Sequence, residues 1–170
     1  MTRVLVVVES MFGNTRQVAD AVAEGMRPLC DVEVLDVASA PVAPTPDVLV
    51  LGGPTHGFSM SRPSTRADAV KRGATVSQRS RTIGMREYLK SLRHTSYPMV
   101  VATFDTRIRK HGVPGSAAAA ARRRLVRSGT RVTLPPESFF VSDISGPLLP
   151  GELGRARAWG AQLATATSAR

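Results

Sequence analysis

The sequence predicts an α/β chain, a single domain over residues 1–170 built on a doubly wound, five-stranded parallel sheet in the order 2-1-3-4-5. Three observations carry this. Unbroken apolar runs such as Val4-Leu5-Val6-Val7-Val8 have the composition of strands buried on both faces, as parallel strands are. Segments with apolar residues three and four apart lie between these runs, as crossover helices require. The first, third and fourth strands each run into a polar loop rich in Gly, Thr or Pro, and ligands of doubly wound sheets bind at such carboxyl ends. Five strands favour this order over the six-stranded alternative.

Taken in order, the first helix places Val18, Ala19, Val22 and Met26 on one face and stops at Pro28. Val32-Glu33-Val34-Leu35-Asp36-Val37 alternates enough for a second, partly exposed strand. After a proline-rich connection at 40–46, Val48-Leu49-Val50-Leu51 forms a third, buried strand. Ser64 is placed to cap a short helix reaching Lys71. Residues 73–82 are polar and aperiodic, an exposed loop. Met85, Leu89 and Leu92, or Tyr88 and Leu92, mark another helical face.

Met99-Val100-Val101-Ala102-Thr103, after Pro98, is the fourth strand, followed by a polar loop over 104–115. Ser116 caps an alanine-rich helix to Arg127, and Gly129 ends it. Residues 131–134 and 138–141 make a fifth strand broken by Pro135-Pro136. Paired prolines remove ladder donors, so this strand belongs at a sheet edge. The last helix spans 150–166, with Leu153, Ala156, Gly160 and Leu163 inward and Trp159 in packing or at a rim.

Composition narrows the class. The apolar fraction of 42% is ordinary for a globular chain. No apolar run approaches 18 residues, so no membrane span is expected, and the absence of a signal-peptide pattern points to the cytoplasm. Cys30 is alone, which excludes an internal disulfide, and it reads as a small core residue. His94 and His111 are isolated, so no metal site is expected. The net charge is +10. Its basic residues are spread along the chain, and no aromatics interleave with Arg122-Arg123-Arg124, so specific nucleic-acid binding is not expected. A positive field that attracts acidic partners is.

The chemistry concentrates in Ser10-Met11-Phe12-Gly13-Asn14-Thr15, between the first strand and the first helix. Unpartnered N–H groups and the helix dipole favour an anion there. Ser10, Asn14 and Thr15 add side-chain donors, and Gly13 lets the backbone close on a ligand. The alternative is that Asn14 or Thr15 simply caps the helix. The stretch is neither a Walker loop nor a three-glycine dinucleotide fingerprint. Two further loops converge on it: Pro54, Thr55, His56, Gly57 and Phe58 after the third strand, and Thr103, Phe104, Asp105 and Thr106 after the fourth. A phosphate cradle facing two loops with aromatic residues and backbone amides suits a flat heteroaromatic phosphate.

With these residues in view, the sequence resembles the flavodoxin family. Ser10, Gly13 and Thr15 match the first, fourth and sixth places of its Thr/Ser-x-Thr-Gly-x-Thr phosphate loop, while Phe12 stands where the middle hydroxyl residue would be. Ser10-Met11-Phe12-Gly13-Asn14 is also similar to the Ser-Met-Tyr-Gly-His loop of flavodoxin-like NAD(P)H:quinone oxidoreductases, and Pro54-Thr55 to the Pro-Thr of their second loop. The resemblance implies flavin mononucleotide (FMN) as cofactor. Its phosphate would lie on residues 10–15 and its ring between the second and third loops, with His56, Phe58 and Phe104 as walls. It looks like the short-chain kind. Family electron carriers are usually acidic and carry a stacking tyrosine in the third loop, whereas this chain is basic and has Phe104-Asp105-Thr106-Arg107.

The reading that results is an electron-transfer protein serving a redox partner or a quinone-like molecule. An NAD(P)H-dependent quinone reductase and a basic binding module without cofactor are the alternatives. No catalytic side chain is assigned, because the cofactor carries the chemistry in either redox case.

Overall fold

A computed structural model describes residues 1–92, 99–130, 132 and 134–168. Its strands are β1 (Thr2–Val8), β2 (Cys30–Asp36), β3 (Val48–His56), β4 (Ser59–Met60), β5 (Val100–Ile108) and β6 (Glu137–Val141). Its helices are α1 (Asn14–Met26), α2 (Pro63–Lys71), α3 (Gln78–Thr82), α4 (Met85–Ser91), α5 (Ala117–Arg127) and α6 (Glu152–Ser168). The main sheet runs β2-β1-β3-β5-β6 with every pair parallel, and β4 folds back antiparallel on β3. With that hairpin strand set aside, the order is the predicted one, and β6 lies at an edge.

The two sheet faces divide by the period of two. Val4, Val6, Val8, Val50 and Phe104 face α1 and α6, and Leu5, Val7, Leu49, Leu51 and Val101 face α4 and α5. Cys30 is buried in the first of these cores. Trp159 closes it, edge-on to Phe104 and Phe139 at 6.1 and 6.0 Å between ring centroids. Helices α1 and α6 touch backbone to backbone. A Cβ on Gly160 would lie 2.1 Å from the Val22 carbonyl oxygen, and one on Gly25 would lie 2.0 Å from that of Arg157.

Several sequence expectations need correction. Strands β3 and β5 each run five residues past their predicted ends, as the ladder continues through Gly52↔Phe104, Gly53↔Asp105 and Pro54↔Thr106. Gly52 O accepts from Glu9 N on the β1 side, so Pro54, two residues on, turns its missing donor toward the same side, past the end of β1. Residues 73–82 include the helix α3, capped by Ser77 accepting from Ser80 N at 3.1 Å. Helix α2 begins at Pro63, and Thr65 Oγ1, not Ser64, holds its start by accepting from Arg62 N at 2.9 Å. Leu153 is 39% exposed on the open first turn of α6, where Glu152 turns inward to accept from Phe140 N. Pro98 and His94 lie outside the described residues, as do Arg131 and Thr133 of the predicted fifth strand, while Leu134 is not in a strand.

Candidate functional site

The loop after β1 is closed by its own first residue. Ser10 Oγ accepts from Gly13 N at 3.1 Å and from Arg16 N at 3.2 Å, leaving its own proton to donate outward. Gly13 is the N-cap of α1 with φ 92°, and a Cβ there would meet open space. Neither Asn14 nor Thr15 caps the helix. Asn14 Nδ2 donates to Ser145 O at 3.0 Å across the β6–α6 loop. The Thr15 hydroxyl is buried and shares a 2.7 Å hydrogen bond with that of Thr106. The first intrahelical bond is Gln17 N to Gly13 O, so the amides of Asn14 and Thr15 point out of the helix start with no partner among the described residues.

A slot of about 80 Å³ opens beside this loop at the carboxyl ends of β3 and β5. Of the residues singled out from sequence, Met11, Phe12, Asn14, Thr15, Pro54, Thr55, His56 and Thr106 line it. Ser10 and Gly13 lie on the loop's opposite flank, along a wider groove of about 510 Å³ that Arg16, Asp36 and residues 73–77 complete. Gly57 and Phe58 (φ 53° and 68°) form the exposed turn between β3 and β4 and do not line the slot. His56 donates to or accepts from Thr65 Oγ1 at 3.2 Å. Burial, and after it the Arg66 charge, pushes its pKa down, so its ring is neutral at pH 7.

Thr103, Phe104 and Asp105, expected from sequence beside the ligand, do not line the slot. Strand pleating sends them into the two packed faces. Thr103 Oγ1 donates to Ala118 O, and Phe104 is 1% exposed, its ring filling the space left by Gly52, where a Cβ would lie 2.0 Å from it. Asp105 Oδ2 accepts from Ser116 Oγ and Ala118 N, anchoring the start of α5, while Oδ1 is buried without a partner among the described residues. Arg107 and Ile108 form the wall instead.

One buried network escaped sequence reasoning. Glu9, the last residue before Ser10, is 3% exposed. It accepts from Ser61 Oγ and, at 2.7 Å, from Met85 N at the start of α4. Arg66, with no exposed surface, donates to Ser61 Oγ at 2.8 Å and pairs with Glu87 at 3.0 Å. The network ties the first loop to the segment that follows the second. The available signal was an acid in the buried phase of a strand that alternates Leu5, Val7, Glu9.

No family model and no curated protein matches this chain. Solved structures do. An archaeal flavodoxin aligns with TM-score 0.66 and 16% identity, over 97% of this chain and 98% of that one. Flavodoxin 1 from Bacillus cereus aligns with TM-score 0.65 and 19% identity, over 96% and 98%. A WrbA-like flavodoxin from Agrobacterium tumefaciens aligns with TM-score 0.57 and 18% identity, over 98% of each chain. With these matches and its parallel sheet order, the chain has the flavodoxin-like α/β fold.

Proposed function

We propose that this protein binds FMN and serves in electron transfer. The carrying observation is the pair of unpartnered amides, of Asn14 and Thr15, behind the left-handed Gly13 at the switch point of the sheet. They form a donor set suited to a phosphate monoester dianion, while Ser10 Oγ, on the loop's other flank, holds the loop's shape by accepting from Gly13 N and Arg16 N. Thr55, His56 and Arg107 border the slot in which the ring's polar edge would be held. At about 80 Å³ the slot is smaller than a flavin ring, so loading would part its exposed walls, Ile108 and Ile144. When bound, the flavin supplies the electron chemistry, and the chain binds it, orients it and limits water.

The test is equilibrium titration of the purified chain with FMN and with flavin adenine dinucleotide, followed by ultrafiltration. One FMN retained per chain, with weaker retention of the dinucleotide, is expected. Replacing Ser10 with Ala leaves the Gly13 and Arg16 amides without the acceptor that closes the loop, and should weaken FMN binding by about 1–3 kcal/mol. Retention of both flavins alike, or of neither, rejects the reading.

A further inference from the structure

Among the described residues, Phe58 is the one non-glycine with a left-handed backbone, and it is 61% exposed. Its φ of 68° is held by close packing on the β5–α5 loop, where a Cβ on Gly115 would lie 2.2 Å from Phe58 O. An apolar ring is thereby presented to water from a strained turn, an arrangement typical of functional surfaces. Ile108 and Ile144, two further exposed large apolar residues, line the slot that His56, two residues before Phe58, also lines.

Cations flank this rim on both sides. Arg86 reaches beneath the turn, donating to Ser61 O at 3.1 Å and Met60 O at 2.7 Å. Burial lowers its pKa, and the nearby charges of Arg62 and Arg124 lower it further against the opposing charge of Glu87. On the other side Arg109, Lys110 and His111 are exposed directly after Ile108. Arg16, Lys71, Arg155 and Arg157 are paired with carboxylates elsewhere on the surface. Arg62, Arg86, Arg109, Lys110 and Arg124 enter no ion pair among the described residues. Glu87, the nearby acid, is taken by Arg66.

We propose that this rim is a docking surface for an acidic protein, with Phe58 as the apolar anchor and Arg62, Arg109 and Lys110 as the steering charges. An aromatic anchor ringed by like charges matches a partner face with an apolar centre and a carboxylate border. The inference rests on the electron-transfer reading, because a protein seated on Phe58 and Ile108 covers the mouth of the slot. A nucleic acid is the weaker match, since one isolated aromatic offers no stacking row.

The experiment is a titration of the full chain, with amide chemical shifts as readout, using a polyglutamate peptide with central leucines and, separately, a duplex oligonucleotide at the same ionic strength. FMN content is measured by absorbance in every sample. The peptide should shift residues 57–62 and 108–111, with affinity falling as salt rises. Phe58→Gly, which relieves the turn while deleting the ring, and the Arg109→Glu/Lys110→Glu double variant should each lose about tenfold or more in affinity. Absence of peptide binding at low salt, shifts centred on Arg122–Arg127, unchanged affinity in both variants, or tighter oligonucleotide binding at the same residues overturns the proposal. Peptide binding at the rim by a chain that retains no FMN overturns the flavin reading and leaves the surface standing. Retained FMN without peptide binding does the reverse.

Discussion

Glu9 occupies a core position of β1's face with an ionisable group, and its surroundings determine how the fold responds to pH. Burial raises its pKa above the usual 4.5, opposed by the bonds from Met85 N and Ser61 and by the Arg66 charge, while Glu87 adds to the rise. A carboxyl with a raised folded pKa favours the neutral form. Its contribution to stability is complete below pH 4.5 and is lost as pH climbs through the folded value. Glu9→Gln, neutral at every pH, should lie within about 1 kcal/mol of the parent near pH 4. It should then become the more stable of the two toward neutrality. Urea unfolding of both proteins from pH 4 to pH 8 measures this, and parallel profiles would show that Glu9 does not titrate in that window. Arg66 belongs to the same network. Gly84 has to stay bare beneath it, since a Cβ there would lie 2.4 Å from the Arg66 guanidinium.

At the scale of elements, the contact between α1 and α6 depends on missing side chains. Gly160→Ala puts a methyl 2.1 Å from the Val22 carbonyl oxygen, so the helices must separate. Overpacking of this kind costs about 1–3 kcal/mol. Gly154, in the same helix, faces open space. Gly154→Ala should therefore stabilise the chain, by about 0.5–1 kcal/mol from helix propensity alone. Thermal unfolding of the two variants side by side separates close approach from propensity, and a shared sign would contradict the packing described. The same logic holds across the sheet, where Gly52 leaves room for Phe104 and so for the Phe104–Phe139–Trp159 cluster.

For the whole molecule the governing quantity is charge. The chain carries +10 at pH 7, and many of its cations enter no ion pair among the described residues. Self-repulsion opposes the compact state and is screened when the Debye length shrinks from about 30 Å at 0.01 M salt to about 8 Å at 0.15 M. Melting temperature should accordingly rise over that range of sodium chloride. A fall would mean that favourable surface pairs outweigh the repulsion. No described helix is long and apolar enough to cross a membrane.

Much of this architecture was legible in local pattern. The runs 4–8, 48–51 and 101–102 are buried on both faces and flanked by amphipathic helices, so apolar pattern and strand count pointed to the sheet, its order and the first loop's place at a helix start. The serine of that loop, its left-handed glycine and the Ser116 cap are equally local, because each acts within a few residues of itself. Tertiary structure decided what depends on a neighbouring strand. Gly52, Gly53 and Pro54 signal a turn, yet pairing with β5 draws them into β3, and the same ladder carries Thr103, Phe104 and Asp105 away from the slot. Glu9, Ser61, Arg66 and Met85 are scattered over 76 positions, and only the folded chain makes them partners. Local sequence determines backbone preference and which face is apolar. Where a strand ends, and which polar groups can be buried, depends on hydrogen-bond partners supplied by distant segments.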